Sequence, residues 1–144
     1  MNKILIVEDD VRIAEALGVR LRCAGYDVVT AGDGFTGLKM TMTHKPDLIV
    51  LDIMMPVGMG FSVAERLKSL GLGEIPVVFI TASKRAGLRK TAQQLGAAGF
   101  FEKPYDAEEL LSAISLILGG SPSAHSAFSQ LQPRPPHPHS GLQP

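Results

Sequence analysis

Five short apolar runs, separated by segments with helical spacing, constrain the fold of this chain more than any other feature. The strongest runs are residues 4–7, 47–51 and 75–80, and weaker ones lie at 26–29 and 99–101. These runs do not alternate between apolar and polar residues, which is typical of strands buried on both faces. They therefore predict a parallel sheet that is covered by helices on both sides.

The first two intervening segments show apolar residues at helical spacing. The first helix is predicted from one apolar face, formed by Ile13, Ala16, Leu17, Leu21 and Ala24. Gly25 provides its C-terminal stop. The second is predicted from Phe35, Leu38 and Met42, with Asp33 as its N-cap.

Three further helices complete the pattern. The third is marked by Val63, Ala64, Leu67 and Leu70 and is stopped by Gly71. The fourth and fifth are predicted at about residues 88–95 and 106–118. Five strands that alternate with five helices predict a doubly wound α/β fold, because right-handed crossovers place helices on both faces of the sheet. The chain length favours the flavodoxin-like strand order 2-1-3-4-5.

Composition and charge restrict the class of protein. The 144 residues are 45% hydrophobic and 19% charged, which is typical of one globular domain. Lysine plus arginine and aspartate plus glutamate both number 14, so no basic field favours nucleic acid or an anionic membrane. Cys23 is the only cysteine, and no apolar run approaches the roughly 20 residues that span a bilayer. With too few N-terminal apolar residues for a signal peptide, a cytoplasmic location is expected.

The composition changes abruptly near residue 119. Residues 119–144 contain six of the ten prolines, three of the four histidines and one charged residue, Arg134. Such a segment cannot bury a core, so we expect a domain at 1–118 and a disordered tail at 119–144. Two P-x-x-P spacings, beginning at Pro133 and Pro135, match a proline-rich ligand motif, although a plain tail is the favoured interpretation. His137 and His139 alone make a poor metal site.

Polar residues follow four of the five predicted strands. Glu8, Asp9 and Asp10 follow the first strand, Asp52 the third, Thr81 the fourth and Lys103 the fifth. In an open parallel sheet, ligands bind beyond the carboxyl ends of the strands. Each residue alone has a simpler explanation, such as the N-cap that we predict for Asp10. Their convergence at one rim is harder to explain in that way.

The chemistry of this rim favours a divalent cation and a phosphoryl group. Clustered carboxylates repel one another unless a proton or a cation intervenes, and oxygen-only ligands favour Mg²⁺. A carboxylate next to Mg²⁺ can attack a phosphoryl donor and become an acyl phosphate. Thr81 and Lys103 can then donate hydrogen bonds to phosphoryl oxygens.

With these residues in place, the chain resembles the response regulator receiver family over residues 1 to about 118. The matching segments are ILIVEDD at 4–10, LDIMMP at 51–56, ITA at 80–82 and FEKP at 101–104. The resemblance implies that Asp52 is the phosphoacceptor and that Asp9 binds Mg²⁺ directly. It also implies that Glu8 holds the metal mainly through water and that Met54 offers its backbone carbonyl.

The resemblance implies further roles near the fifth strand. Thr81 and Lys103 would bind phosphoryl oxygens, and Phe100 would be the aromatic switch that follows Thr81 inward. A plain core aromatic is the alternative for Phe100. Members of this family typically hold the Lys-Pro bond cis, so a cis bond is expected at Lys103–Pro104.

The chain departs from the family pattern in three places. Residues 57–59 lack the usual acidic residue of the loop, although Gly60 keeps its place. Met54 and Ser83 occupy the two positions that tune attack by water on the phosphoryl group in receivers, and neither is a strong base, so a long-lived phosphoryl group is expected. A cluster of basic residues on the fourth helix is either a solvated face or a docking surface for an acidic partner: Lys84, Arg85, Arg89 and Lys90.

The function implied is a switchable binding module rather than a metabolic enzyme. A histidine kinase or phosphotransfer protein would phosphorylate Asp52, and the surface of the fourth helix, fifth strand and fifth helix would change its affinity for a protein partner. A phosphatase of the haloacid dehalogenase type would need an aspartate at Met54. A flavodoxin-like carrier would need a Gly- or Ser/Thr-rich loop at residues 8–10.

A receiver that signals without phosphate is disfavoured by its intact polar residues. The tail is too short for a helical DNA-binding module, so we expect no direct contact with nucleic acid and no membrane span. The chain is then either a stand-alone receiver or a fragment of a longer regulator.

Overall fold

The computed structural model describes residues 1–55 and 60–119 as a five-stranded sheet with helices on both faces. The strands are β1 (Lys3–Val7), β2 (Asp27–Ala31), β3 (Leu48–Asp52), β4 (Val77–Thr81) and β5 (Gly99–Glu102). The helices are α1 (Val11–Cys23), α2 (Gly34–His44), α3 (Gly60–Ser69), α4 (Leu88–Gln94) and α5 (Ala107–Leu118). All strand pairs are parallel. Their order, β2-β1-β3-β4-β5, confirms the predicted topology.

Successive residues of the central strands enter two different apolar cores. On β1, Leu5 and Val7 pack toward α2, α3 and α4, whereas Ile4 and Ile6 pack toward α1 and α5. All residues of β3 and β4 are buried. The continuous apolar runs are therefore explained by burial on both sides of the sheet.

Two aspartates begin helices as the sequence predicts. The side chain of Asp10 accepts hydrogen bonds from the backbone N–H groups of Arg12 and Ile13 at the start of α1. Asp33 accepts from the N–H of Thr36 at 2.8 Å at the start of α2. Both bonds satisfy donors that have no partner inside the helix.

Replacing Asp33 with Ala should lower the free energy of unfolding by about 1 kcal/mol, because it removes the cap of α2. Urea denaturation would measure the change. Asp27→Ala is the matched control, since it removes the same charge from an exposed position of β2. Equal effects of the two substitutions would contradict a capping role.

The predicted buried face of α2 is wrong at two of its three positions. Phe35 and Met42 are 65% and 48% exposed, and the helix instead buries Gly34, Gly37 and Thr41. A Cβ atom on Gly37 would lie 2.9 Å from Cγ2 of Val7. The α2 backbone therefore packs directly on β1, and small residues form the contact.

The predicted faces of α1 and α3 hold only in part. Leu17, Leu21, Val63, Ala64 and Leu67 are buried as expected. Ala16 is exposed, and Leu70 lies just past α3 with 46% of its surface exposed. Among the residues that the structure describes, no helix is long and apolar enough to cross a membrane.

Candidate functional site

Three carboxylates meet at the carboxyl ends of β1 and β3. Strands β1 and β3 pair Val7 with Leu51. The next residues in the chain, Glu8 and Asp52, therefore lie side by side at the same edge of the sheet. Glu8, Asp9 and Asp52 each offer an oxygen atom, and these atoms lie within 4.8 Å of one another. Glu8 and Asp52 are buried, whereas Asp9 is exposed. The cluster is thus open to solvent on the side of Asp9.

Lys103 joins two of these carboxylates. Its Nζ donates to Oε1 of Glu8 at 2.6 Å and to Oδ2 of Asp52 at 3.1 Å. Only 14% of the Lys103 side chain is exposed. Its backbone N–H donates to the carbonyl of Thr81 at 2.7 Å, and the Lys103–Pro104 bond is cis, as predicted.

The electrostatics of the cluster favour an additional positive charge. Burial raises the pKa of Glu8 above its ordinary value, and the ammonium of Lys103 offsets only part of this effect. Partial desolvation and the neighbouring Glu8 raise the pKa of Asp9. Burial alone would lower the pKa of Lys103, but its bonds with the carboxylates outweigh burial and raise it. One ammonium among three carboxylates leaves two negative charges when all are ionised, which matches a divalent cation.

The donor atoms of the cluster also fit a hard cation. Every side-chain ligand that it offers is a carboxylate oxygen, the donor type that Mg²⁺ prefers. Exposed Asp9 leaves room for water, of which bound Mg²⁺ usually keeps several. Glu8, Asp9 and Asp52 are therefore the residues that could hold a metal ion.

Asp52 is held from both of its carboxylate oxygens. Oδ1 accepts a hydrogen bond from the backbone N–H of Met54 at 3.0 Å, while Oδ2 accepts from Lys103. The Met54 side chain is 38% exposed. These contacts fix the orientation of a carboxylate that is itself only 3% exposed.

Gly60 lies directly against the backbone of Asp52 and Ile53. A Cβ atom at position 60 would lie 2.5 Å from the carbonyl oxygen of Asp52 and 2.9 Å from Cα of Ile53. The N–H of Gly60 also donates to the carbonyl of Ile53 at 2.9 Å. The sequence indicates that Gly60 keeps its family position. It does not indicate that a Cβ atom at this position would collide with the backbone. The departure at residues 57–59 lies outside the described residues.

Thr81 and Phe100 lie on the same side of the sheet. Strands β4 and β5 pair Phe79 with Phe100 and Thr81 with Glu102. Thr81 is fully buried, and its Oγ1 accepts a hydrogen bond from the N–H of Ser83 at 3.0 Å. Phe100 is 4% exposed and belongs to the core beneath α4 rather than to the carboxylate cluster.

Two of the basic residues around α4 contact β5. Lys84 pairs with Glu102 at 3.3 Å, and the guanidinium of Arg89 lies over the ring of Phe100, 4.7 Å from its centroid. Arg85 and Lys90 are exposed. Helical spacing does not predict the stack between Arg89 and Phe100, because it joins a helix to a strand.

Comparison with known proteins gives one consistent family. A sequence model of the response regulator receiver domain matches residues 4–115. The transcriptional regulatory protein DltR of Streptococcus agalactiae is 41% identical over 114 residues, which cover 79% of this chain and 50% of that protein. The alkaline phosphatase synthesis transcriptional regulatory protein PhoP of Bacillus subtilis is 38% identical over 117 residues, covering 81% and 48%. The chain thus spans about half the length of these relatives.

Solved structures agree with the sequence comparison. Chemotaxis protein CheY4 of Vibrio cholerae superposes with a TM-score of 0.74 at 29% identity, covering 80% of this chain and 97% of that one. The N-terminal domain of a Wolinella succinogenes protein gives a TM-score of 0.75 at 33% identity, covering 80% and 92%. Both similarities extend over most of the compared domain.

Proposed function

Because this chain belongs to the response regulator receiver family, we propose that it accepts a phosphoryl group on Asp52 with Mg²⁺ bound beside it. The chain is a receiver domain of two-component signalling. Members of this family signal through phosphorylation and are not metabolic enzymes. One observation carries the assignment to Asp52. Its buried carboxylate is held between Lys103 and the Met54 amide, beside two further carboxylates.

The proposed ligands of Mg²⁺ are Glu8, Asp9, Asp52 and the backbone carbonyl of Met54. Asp9 is a direct ligand in this proposal, and Glu8 acts mainly through water. When bound, Mg²⁺ supplies positive charge against the carboxylates and the phosphoryl oxygens.

The reaction at Asp52 is a phosphoryl transfer. A carboxylate oxygen of Asp52 attacks the phosphorus of a phosphohistidine on the donor protein. The new O–P bond forms an acyl phosphate, and the P–N bond to the donor imidazole breaks. The imidazole leaves with the electron pair of that bond and takes a proton. Holding Asp52 at both oxygens stabilises its orientation, which is the main protein contribution to phosphoryl transfer.

Two residues are proposed to bind the transferred group. Lys103 already reaches Asp52 with its ammonium, so a small movement of its side chain lets it donate to a phosphoryl oxygen. Thr81 ends the neighbouring strand β4 and has a hydroxyl that can donate to another phosphoryl oxygen. Phe100 is proposed to respond to the movement of Thr81.

Intact-mass spectrometry after incubation with acetyl phosphate and MgCl₂ tests this proposal. The wild type should gain one phosphoryl group in a reaction that requires Mg²⁺, and Asp52→Asn should gain none. Asp27→Asn, at an exposed position, is the matched control and should react like the wild type. A phosphoryl adduct on Asp52→Asn would contradict the assignment of the site.

Substitutions at Met54 test the proposed long lifetime of the phosphoryl group. The thioether of Met54 cannot act as a base or hold a water molecule by strong hydrogen bonds. Met54→Asn should therefore shorten the lifetime several-fold, because an amide can orient the attacking water. Loss of phosphate from purified phosphoprotein would be followed by mass spectrometry, with Met54→Leu as the control. Rapid loss from the wild type would contradict the proposal.

The partners proposed are a histidine kinase or phosphotransfer protein as donor and a protein that binds the α4–β5–α5 surface. The relatives DltR and PhoP are named as transcriptional regulators, but we propose that residues 1–118 themselves make no direct contact with DNA. A domain at 1–118 and a cytoplasmic location stay predictions. The predicted tail, apart from Gly119, lies outside the described residues.

A further inference from the structure

The contact between Arg89 and Phe100 joins α4 to the edge strand of the sheet. Arg89 lies in the first turn of α4, and its guanidinium covers the Phe100 ring at 4.7 Å from the centroid. At the start of α4, Gly87 is the N-cap, and among the described residues no side chain provides a capping hydrogen bond there.

The Phe100 ring is buried in the core that also contains Leu88 and Ala92 of α4. In the part of the chain that the structure describes, strand β5 is at the edge of the sheet and pairs with β4 alone, so cover for its side chains comes from helices. Phe100 is nevertheless only 4% exposed. Arg89 spreads a planar, weakly hydrated cation over the ring, an arrangement that is attractive in itself and excludes water.

A nearby carboxylate favours this position of Arg89. Glu102 follows Phe100 by two residues and lies on the same side of β5. Its charge attracts the Arg89 guanidinium, while burial lowers the pKa of Arg89. The cation is therefore partly desolvated, which strengthens a cation–π contact relative to an exposed one.

We propose that Arg89 is a positioning residue that holds the Phe100 ring in its buried position and thereby couples α4 to the phosphorylation site. This proposal rests on the proposed function for its effect on phosphorylation. The positioning of the ring is a separate, structural claim.

The coupling follows from the register of β4 and β5. Phe100 and Glu102 lie beside Phe79 and Thr81 on one side of the sheet. The segment leading to α4 is tied to Thr81 through the N–H of Ser83, and α4 is tied to β5 through Arg89. If Thr81 turns toward a phosphoryl oxygen, its hydrogen bond with Ser83 changes, and the contact between Arg89 and Phe100 changes with it. By holding the ring inward beforehand, Arg89 favours the conformation that accepts phosphate.

Fluorine NMR of protein labelled with 4-fluorophenylalanine tests the positioning claim. The chain has six phenylalanines, and Phe100→Leu assigns the signal of Phe100. In Arg89→Ala, the Phe100 signal should shift and become sensitive to a soluble paramagnetic gadolinium chelate. Arg89→Lys should restore part of the protection, because an ammonium can also stack on the ring.

Two controls separate this effect from a general loss of charge. Lys90→Ala removes the neighbouring, exposed cation of α4 and should leave the Phe100 signal unchanged. Lys39→Ala removes the cation that lies 5.5 Å from the Phe35 centroid on α2, and it should affect Phe35 alone. An unchanged and protected Phe100 signal in Arg89→Ala would overturn the proposal.

The rate of phosphorylation by acetyl phosphate and Mg²⁺ tests the coupling. Arg89→Ala should react about threefold to tenfold more slowly than the wild type, since fewer molecules hold the ring inward. Arg89→Lys should react at an intermediate rate, and Lys90→Ala at the wild-type rate. Equal rates for all variants would overturn the coupling. If the wild type itself gained no phosphate, the proposed function would fail, whereas the NMR result would still decide the positioning of Phe100.

Discussion

Replacing Lys103 with Met is expected to lower the free energy of unfolding by about 3 kcal/mol at neutral pH without divalent metal. The ammonium of Lys103 contacts buried Glu8 and Asp52 at 2.6 and 3.1 Å. Its removal leaves two carboxylates in a poorly solvated site with no cation between them. Methionine keeps most of the volume, so the change reports mainly the lost charge.

The stability deficit of Lys103→Met should depend on pH with a defined sign. Burial already raises the pKa of Glu8 above its ordinary value of 4.5, and Lys103 opposes that rise. Without the ammonium, the pKa of Glu8 in the folded state rises further. A carboxyl group with such a raised pKa contributes stability that is present below its unfolded pKa and is lost as the pH rises through the folded pKa. The deficit should therefore be small near pH 4.5 and grow toward neutral pH.

Urea denaturation of the wild type and variants at several pH values would measure these effects. Lys84→Met is the matched control, because Lys84 forms an exposed ion pair with Glu102, and its loss should cost less than about 1 kcal/mol. Added Mg²⁺ should stabilise Lys103→Met more than the wild type, since no ammonium competes for the carboxylates. Similar losses for both lysine variants would contradict the role of Lys103 in the cluster.

Replacing Gly60 with Ala should destabilise the fold by about 2 kcal/mol and displace the backbone of Asp52. The added Cβ would lie 2.5 Å from the Asp52 carbonyl oxygen and 2.9 Å from Cα of Ile53. Both atoms belong to the backbone, so no side-chain rotation relieves the contact. Because phosphoryl transfer depends on the position of Asp52, the rate of phosphorylation should fall as well.

Gly32→Ala provides the control for Gly60→Ala. A Cβ atom at Gly32 would meet no atom within 4 Å, so this substitution should be neutral or slightly stabilising. Thermal unfolding gives the stability of both variants, and mass spectrometry gives their phosphorylation rates. Wild-type stability and reactivity in Gly60→Ala would contradict this prediction.

Phe35 and Met42 do not lie where the apolar spacing of α2 places them. This spacing predicts that α2 buries both side chains, yet the helix packs through Gly37 and Thr41. Hydrophobic periodicity cannot anticipate this contact, because the distance between a helix and a sheet depends on the residues of both. The Val7 side chain needs the space that Gly37 leaves open.

The sequence by itself determined the fold, the strand order and the polar rim. Non-alternating apolar runs require burial on both faces of a sheet, and the carboxyl ends of parallel strands lie at one edge. The positions of Glu8, Asp9 and Asp52 at the ends of these strands are therefore enough to predict that they lie close together. Only the tertiary structure decided that Lys103 bridges two of these carboxylates and that Arg89 covers Phe100. Such contacts join residues of different strands and helices, and their geometry depends on the packing of whole elements rather than on local spacing.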